Sequence, residues 1–407
     1  MKKLSYIFFV LLLLISFNTP ASALQNSDIS SEAAILIDAD TGQVLFEKNS
    51  NLKYAPASTT KILTALIVLD KCNLQEKVIV GKKPPYADGS KIYLLEGEEL
   101  TVEQLLYALL LESANDAAEA LAEHVAGSVE NFSKMMNEYA KNLGCKNSNF
   151  INPHGLYDDN HYTTAYDMAL IAKHAMQNEI FRTIVATKNY KIPPTNKQTE
   201  TRYLNNHNKL LWNGGRYYYK YATGIKTGYT IKAKHTFVGS ATKDNINLIA
   251  VVLKSPTAVY PDITKLFEFG FNSFKKEKIL DKLVPVTYLN LDNGKALIPV
   301  VPSKDFYYLI KSSETKLPAQ NIILNKNIKS VHKNEIVGKV ELLLDGNIVD
   351  SIDLLATQDY KMNIINTITK PNIQLAKKNY LKFIYPVMAL FLIRGFYRKY
   401  KRKKGLS

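Results

Sequence analysis

Three short polar motifs follow one another along the first part of this chain and limit the folds that it can adopt. They are Ser58-Thr59-Thr60-Lys61, Ser113-Ala114-Asn115 and Lys226-Thr227-Gly228. Each is common by itself. If the three form one site, the fold must bring a helix start, a connection between helices and a strand together from segments far apart in sequence.

The first motif lies at the predicted start of a helix. Residues 58–69 read as a helix that is apolar on most sides, and Pro56 precedes it. Ser58 then lies where backbone N–H groups lack intrahelical partners, with Lys61 one turn on along the same face. A buried lysine whose pKa is lowered can take the serine proton. The alternative is a capping serine beside a surface lysine.

The second motif falls on a tight connection between two predicted buried helices. The first helix opens with a capping-box pattern at residues 101–104, and the next covers residues 117–125. A hydroxyl at Ser113 can relay a proton to a leaving amine, and the carboxamide of Asn115 can bind a substrate amide. Ordinary capping by Asn115 or Asp116 is compatible with these roles.

The third motif lies on the first of three predicted antiparallel strands, which together cover residues 222–253. Lys226 and Thr227 offer a cation and a hydroxyl that suit a carboxylate. Gly228 removes a side chain, so a ligand backbone can lie alongside the strand. Taken alone, the K-T-G motif indicates no more than a charged edge strand.

Together the motifs resemble those of the low-molecular-mass penicillin-binding proteins, which are serine-type D-alanyl-D-alanine carboxypeptidases. The resemblance covers about residues 30–360. Further blocks that resemble the family are Ser113-Ala114-Asn115-Asp116-Ala117-Ala118, Asn152-Pro153-His154-Gly155-Leu156, Thr164-Ala165-Tyr166-Asp167-Met168-Ala169, Asn206-His207-Asn208-Lys209-Leu210-Leu211 and Gly224-Ile225-Lys226-Thr227-Gly228-Tyr229-Thr230. The resemblance implies an enzyme that removes the terminal D-alanine from peptidoglycan stem pentapeptides ending in D-Ala-D-Ala. It also implies that β-lactam antibiotics acylate this enzyme.

Catalytic roles follow from the same resemblance. Ser58 would be the nucleophile, Lys61 the general base and Ser113 part of the proton relay. The backbone N–H groups of Ser58 and Tyr229 would form the oxyanion hole, where each preorganised donor is worth ~3 kcal/mol.

The resemblance also implies which residues bind the substrate. These are Asn115, Lys226, Thr227, Gly228 and Tyr229, of which Asn115 would contact the substrate amide and Lys226 and Thr227 the terminal carboxylate. Many relatives carry an arginine after the last catalytic-domain strand that is thought to help hold this carboxylate. Residues 257–262 contain no arginine here, which puts a second cationic contact from that stretch in doubt.

Two other functions share these motifs. A class A β-lactamase needs a glutamate to activate the deacylating water, usually within E-x-x-L-N. The nearest match begins at Glu200, is one residue too long and overlaps the block that starts at Asn206. A non-enzymatic penicillin sensor would carry transmembrane helices before its sensor domain, where the sequence of this chain predicts a cleavable signal peptide at residues 1–23. We therefore expect a carboxypeptidase.

Composition and charge narrow the possible partners. The chain has 407 residues and a formal charge of +15, part of which lies at its two ends. The remainder would suit anionic cell-wall polymers and lipids, whereas nucleic acid is not expected, because no stacking motif accompanies the basic residues. No cofactor is expected, and no spacing of His, Cys, Asp or Glu resembles a metal site. His154 and His207 are expected to order loops.

The two ends predict export and membrane attachment. Residues 1–23 read as a secretory signal peptide with a basic start, an apolar run and an A-x-A-like cleavage site. Near the other end, residues 379–397 are long enough to cross a bilayer, which would place the basic tail in the cytoplasm. The alternative is a basic helix that lies on the membrane surface. The predicted location is the extracytoplasmic face of the bacterial cell membrane.

The predicted fold class is α+β, with a penicillin-binding/β-lactamase-like catalytic domain. Its antiparallel five-stranded sheet would combine two strands within residues 33–47 with the three later ones, and a helical lobe of about residues 58–180 would be inserted. A small all-β domain follows, in which Asp345-Gly346 predicts a hairpin. The predicted divisions are a signal peptide at 1–23, the catalytic domain at 24–278, the β-rich domain at 279–365, a linker at 366–378 and the membrane anchor with its basic tail at 379–407.

Overall fold

The computed structural model describes residues 24–257, 259–294 and 296–361. The strands are β1 (Ala33–Asp38), β2 (Val44–Lys48), β3 (Lys77–Ile79), β4 (Glu99–Thr101), β5 (Asn189–Ile192), β6 (Arg202–Asn205), β7 (Ala222–Thr230), β8 (Lys234–Lys243), β9 (Ile246–Ser255), β10 (Phe274–Leu280), β11 (Thr287–Leu291), β12 (Ala296–Pro302), β13 (Phe306–Lys311), β14 (Ala319–Leu324), β15 (Ile336–Leu344) and β16 (Asn347–Ala356). The α-helices are α1 (Lys61–Lys71), α2 (Val102–Leu111), α3 (Asn115–Ala126), α4 (Val129–Asn142), α5 (Ala165–Ala175), α6 (Glu179–Ala186) and α7 (Tyr260–Ser273).

The first domain is built on an antiparallel five-stranded sheet with the strand order β2-β1-β9-β8-β7. Side chains alternate across β1, so Ile35 and Ile37 enter the core on one face, whereas Ala34 and Leu36 enter a second core on the other face. Since both faces are covered, every residue of this strand is buried. This explains why the strand reads as a continuous apolar run in the sequence.

Helices α1 to α6 form a lobe that leaves the sheet after β2 and returns to it at β7. Apolar side chains of α1, α2 and α3, such as Leu63, Leu106 and Leu121, share the core that covers one face of the sheet. The other face is covered by α7, through Ile263 and Phe267. The predicted capping box forms at the start of α2, and its reciprocal hydrogen bonds between Thr101 and Gln104 define where that helix begins.

The second domain is all β. Strands β11-β12-β16-β15-β14 form an antiparallel sheet, and β10 pairs with β13. Asp345 and Gly346 connect β15 to β16 with φ angles of 52° and 81°, which are the values that a type I′ hairpin turn requires. A separate apolar core, with Val300, Val340 and Leu354 among its members, stabilises this domain.

These observations confirm the predicted catalytic fold and the small β domain that follows it. The predicted signal peptide and the predicted anchor at residues 379–407 lie outside the described residues. No helix within residues 24–257, 259–294 and 296–361 has the length and apolar character needed to cross a membrane. Strand β10 includes residue 278, where the sequence predicts the end of the catalytic domain.

Candidate active site

Ser58 lies in a 3₁₀ turn, Ala57–Thr60, that leads directly into α1. The residue before it, Ala57, has a φ of 49°, a conformation that is costly for a non-glycine residue and is held by its surroundings. The Pro56 carbonyl oxygen accepts hydrogen bonds from Thr59 Oγ1 at 2.7 Å and Thr236 Oγ1 at 2.9 Å. The turn is therefore fixed from within and from strand β8.

Lys61 is completely buried beneath Ser58. Its Nζ lies 3.2 Å from Ser58 Oγ, 2.6 Å from Asn115 Oδ1 and 2.7 Å from the His154 carbonyl oxygen. Burial, and then the nearby charge of Lys226, hold the pKa of Lys61 well below its usual value. A lysine whose pKa is lowered in this way, and which contacts a serine hydroxyl, is able to act as a base.

The second motif lies on the short connection between α2 and α3, as the sequence predicts. Ser113 is buried and has a φ of 61°, again a costly backbone conformation for a residue with a side chain. Asn115 is the first residue of α3, and its Nδ2 donates a hydrogen bond to the Asp88 carbonyl oxygen at 2.5 Å. Since Oδ1 accepts from Lys61, this carboxamide positions the lysine and keeps one N–H for another acceptor.

The third motif lies on β7, the edge strand of the five-stranded sheet. Lys226 is buried, and its Nζ donates to the Thr227 carbonyl oxygen at 3.0 Å. Burial lowers the pKa of Lys226 to about 7. A Cβ on Gly228 would lie 2.8 Å from the Ser58 backbone nitrogen, so only glycine lets β7 pass this close to the nucleophile turn.

An open cleft of about 450 Å³ joins the three motifs. It is lined by Ser58, Ser90, Ser113, His207, Lys209, Tyr217, Lys226, Thr227, Gly228, Tyr229, His235, Thr236, Val259 and Tyr260. Lys61 and Asn115 do not line the cleft. Lys61 contacts Ser58 from below, and Asn115 contacts Lys61. The structure thus brings all eight residues predicted for the site together.

Val259 and Tyr260, which belong to the stretch without an arginine, occupy the cleft wall. Besides Lys226, the basic residues that line the cleft are His207, Lys209 and His235. His207 Nε2 lies 3.1 Å from Glu112 Oε2, so its ring is held in place as a loop-ordering histidine would be. Sequence reasoning missed Lys209, whose only signal was its place inside a block that resembles the family.

Sequence reasoning also missed the irregular segment that carries Ser90. The carboxylate of Asp116 accepts hydrogen bonds from the backbone N–H groups of Ile92 and Leu94 at 3.1 and 3.0 Å. The Ser90 carbonyl accepts from Asn115 N at 2.7 Å. A buried aspartate directly after the second motif was the available signal, because a buried carboxylate must find donors.

His161 supports the nucleophile turn from beneath. Its Nδ1 accepts a hydrogen bond from Ile151 N at 3.1 Å, so Nε2 carries the proton and donates it to Thr60 Oγ1 at 2.9 Å. Burial, and then the neighbouring His154, lower the pKa of His161 to about 3. This imidazole is therefore neutral and weakly basic in the folded protein, and it does not line the cleft.

We expect His161 to make the protein less stable as the pH falls. Its folded-state pKa of about 3 lies below the unfolded value of about 6.5, so the unfolded chain binds more protons between these values. From this residue alone, the free energy of unfolding should be about 2 kcal/mol lower at pH 5 than at pH 7. Urea unfolding of wild type and His161→Gln at both pH values checks this, and the variant should show the smaller difference.

The control for that experiment is His332→Gln, because the His332 side chain is 87% exposed. This variant should keep the wild-type difference between pH 5 and pH 7. If His161→Gln also keeps it, the neutral buried imidazole is not the source of the pH dependence.

A five-stranded sheet with an inserted helical lobe, and a cleft in which a serine contacts a buried lysine, resemble the serine enzymes that react with penicillin. The family model described as D-alanyl-D-alanine carboxypeptidase matches residues 19–257, and that of the penicillin-binding protein 5 C-terminal domain matches residues 274–362. The first match covers more than half of the chain. The chain therefore belongs to the D-alanyl-D-alanine carboxypeptidase family.

Individual relatives agree with this assignment. The chain is 34% identical over 378 residues to the D-alanyl-D-alanine carboxypeptidase DacF of Bacillus subtilis, which covers 89% of this chain and 95% of that protein. It is similar to the crystal structure of penicillin-binding protein 5 from Haemophilus influenzae, with a TM-score of 0.69 and 30% identity over 84% of this chain and 100% of that chain. The Streptomyces K15 DD-transpeptidase matches with a TM-score of 0.57 and 34% identity over 61% of this chain and 100% of that chain. The predicted family and class of enzyme are confirmed.

Proposed function

We propose that this DD-carboxypeptidase acts through an acyl-enzyme on Ser58, with Lys61 as the general base. The observation that carries this mechanism is the set of contacts around Lys61. A neutral amine has two hydrogens and one lone pair. Asn115 Oδ1 and the His154 carbonyl oxygen, at 2.6 and 2.7 Å, are acceptors and take the two hydrogens. The lone pair is left for Ser58 Oγ.

Acylation follows from this arrangement. Lys61 takes the proton of Ser58 Oγ as the oxygen attacks the carbonyl carbon between the two D-alanines. The backbone N–H groups of Ser58 and Tyr229 stabilise the oxyanion that forms. The C–N bond then breaks, and the proton passes from Lys61 through the Ser113 hydroxyl to the departing D-alanine amine.

Deacylation uses the same base. A water molecule attacks the ester carbonyl, Lys61 takes its proton, and the proton returns to Ser58 Oγ as the ester bond breaks. A β-lactam acylates Ser58 in the same way, but its leaving nitrogen remains tethered to the acyl group. The tethered group hinders the approach of water, so the antibiotic adduct persists.

Lys226 is proposed to bind the terminal carboxylate of the substrate, together with Thr227. Lys226 is 2% exposed, and no described carboxylate lies within ion-pair distance of it. Burial disfavours this ammonium more than the Glu112 carboxylate favours it from beyond ion-pair distance, and an arriving substrate carboxylate would supply a direct counter-charge. Because β7 is an edge strand, its free backbone groups can also pair with an extended stem peptide, with Gly228 leaving room for it.

We expect Lys226→Ala to lower kcat/KM for D-Ala-D-Ala peptides. The corresponding loss of transition-state stabilisation should be ~2–4 kcal/mol, the usual loss for one side of a desolvated charge pair. Replacing the substrate carboxylate by an amide should cost the wild type a similar amount and the variant far less, because both changes remove one interaction. Lys226→Arg should rescue only in part, since a planar guanidinium presents its donors differently. Additive effects in this double cycle would show that Lys226 does not bind the carboxylate.

A β-lactamase function is not favoured by the geometry around Glu200. This residue is exposed and does not line the cleft, so its carboxylate is not placed to activate a water at Ser58. Transfer of the acyl group to an amine is the other alternative, because one relative is a DD-transpeptidase. It needs the same acyl-enzyme and differs only in the acceptor.

The test of the proposed function is mass analysis of the products formed from a synthetic pentapeptide that ends in D-Ala-D-Ala. The expected result is one free D-alanine for each tetrapeptide produced. The corresponding peptide ending in D-Ala-L-Ala is the control and should remain intact. A product that carries an added amine acceptor would indicate transpeptidation instead, and an uncut pentapeptide with persistent penicillin labelling would indicate a sensor.

We propose further that the enzyme works at the extracytoplasmic face of the cell membrane. The support is the sequence pattern at the two ends: a signal-peptide pattern at residues 1–23, and an apolar run followed by basic residues at 379–407. The β domain would then separate the cleft from the membrane, where peptidoglycan stem peptides are available.

Truncation after Lys378 is expected to release active enzyme into the medium or the soluble fraction. Removal of residues 399–407 alone is the matched control, because it keeps the apolar run, and this variant should stay with the membrane. Fractionation followed by penicillin labelling measures both. Full-length mature protein that is soluble without detergent would contradict the anchor.

A further inference from the structure

A second cluster of reactive side chains lies away from the cleft, where three helices of the lobe meet. Cys72 directly follows α1, Glu76 lies in the next turn, and His124 lies in the last turn of α3. The Glu76 carbonyl accepts a hydrogen bond from Val102 N at the start of α2, at 3.0 Å. The cluster therefore connects segments that are far apart in sequence, which is why no ligand spacing was visible.

One potential ligand atom from each of Cys72, Glu76 and His124 lies within 4.8 Å of the other two. The distance from His124 Nε2 to Glu76 Oε2 is 3.3 Å. Ligand atoms around a tetrahedral zinc ion are separated by about 3.3–3.7 Å, given metal–ligand distances of about 2.0–2.3 Å. The nitrogen and the oxygen are already at this separation, and the thiol sulfur lies within 4.8 Å of a ligand atom of each of the other two residues.

The carboxylate of Glu76 is oriented by its own turn. Its Oε1 accepts hydrogen bonds from the Asn73 backbone N–H and from Asn73 Nδ2, both at 2.9 Å. This leaves Oε2 directed at His124. Backbone donors of this kind hold a ligand in place before the metal arrives and are typical of the groups that surround metal ligands.

We propose that Cys72, Glu76 and His124 form a binding site for a divalent transition-metal ion, with Zn²⁺ as the ion that suits a thiolate, a carboxylate and an imidazole. Mg²⁺ and Ca²⁺ prefer all-oxygen sites and are disfavoured by the sulfur and the nitrogen. Three protein ligands leave a fourth position for water. The side chains of His124 and Glu76 are 26% and 39% exposed, so an ion can reach the site from solvent.

A metal ion here would join the ends of α1 and α3, whose opposite ends carry Lys61 and Asn115. It would stabilise the lobe because it binds the folded state, and the stabilisation would grow with metal concentration. It would take no part in the reaction at Ser58, which lies at the other end of α1. This inference does not depend on the proposed function.

The test uses the full mature chain without a histidine tag, freed of metal and titrated with Zn²⁺ or Co²⁺ alone. We expect Zn²⁺ to raise the melting temperature, and Co²⁺ to give sulfur-to-cobalt charge-transfer absorption. Cys72→Ser and His124→Gln should each weaken binding by at least about tenfold, whereas Cys145→Ser, which removes the other thiol, should bind as the wild type does. Penicillin labelling should be unchanged in all three variants.

Two results would overturn the proposal. One is the absence of binding tighter than about 10 μM at neutral pH, which would leave His124 and Glu76 as an ordinary ion pair beside a free thiol. The other is a cobalt spectrum that Cys72→Ser does not change. If Cys72→Ser fails to fold, Glu76→Gln tests the site through affinity instead, because it keeps the size of the side chain and removes the charged ligand. Unchanged metal affinity in Glu76→Gln would then overturn the proposal.

Discussion

Replacing Ser58 by alanine is expected to abolish covalent labelling by a fluorescent penicillin and to lower the release of D-alanine by at least about 10³-fold. The alanine has no oxygen to form the acyl bond, so no covalent product can accumulate. The turn itself should persist, because Pro56, Thr59 and Thr236 fix it without the Ser58 hydroxyl. Gel fluorescence measures the labelling, and a melting curve shows that the domain is folded.

The chain offers a matched serine for this experiment. Ser90 lines the same cleft, but its backbone rather than its side chain contacts Asn115. Ser90→Ala should therefore be labelled to the same extent as the wild type. Undiminished labelling of Ser58→Ala, or loss of labelling in Ser90→Ala alone, would remove Ser58 as the nucleophile.

Replacing Lys61 by methionine should have the second largest effect. Methionine fills nearly the same volume and has no base, so acylation by both carboxylate and amide substrates should slow by about 10²–10⁴-fold, the usual contribution of a general base. The pH profile gives a sharper result. Because only the neutral amine accepts a proton, the acylation rate of the wild type should rise with pH through the lowered pKa of Lys61. That ascending limb should be missing in the variant.

Lys226→Met is the control for Lys61→Met, because both variants replace a buried lysine near the cleft. Lys226→Met should keep the ascending limb, moved to higher pH because the charge of Lys226 no longer lowers the pKa of Lys61, and should lose selectivity for the substrate carboxylate. The assignment of Lys61 as the base fails if Lys61→Met retains the limb and acylates at a rate close to that of the wild type.

Much of the fold is predictable because local patterns and long-range pairing agree. The Asp345-Gly346 turn, the capping box at Thr101 and the three strands after residue 222 all form as their sequences predict. The convergence of the three motifs was also predictable, since one site that uses Ser58, Ser113 and Lys226 requires them to meet. In each case the residues of a short segment are enough to predict the structure that this segment adopts.

Other features depend on contacts that no local pattern reveals. The catalytic domain was predicted to end at residue 278, but residues 275–278 lie within β10, which forms because β13 supplies its hydrogen bonds. The segment that carries Ser90 has no periodicity and is held by the carboxylate of Asp116. Similarly, the positive φ of Ala57 arises where the turn packs against Gly155 and Gly228. These features follow from tertiary packing, which single-sequence periodicity does not record.

The most direct test of the mechanism is to trap the acyl-enzyme formed from a D-Ala-D-Ala pentapeptide by rapid acid quench and to locate it by mass spectrometry of proteolytic fragments. We expect a mass increase equal to the pentapeptide less one D-alanine, on the fragment that contains Ser58 and at the Ser58 oxygen itself. Penicillin should block this adduct and modify the same atom. An adduct on another residue would contradict the mechanism through Ser58. The mechanism would also be contradicted if D-alanine were released rapidly while no adduct formed at any quench time, in wild type and in variants that deacylate slowly.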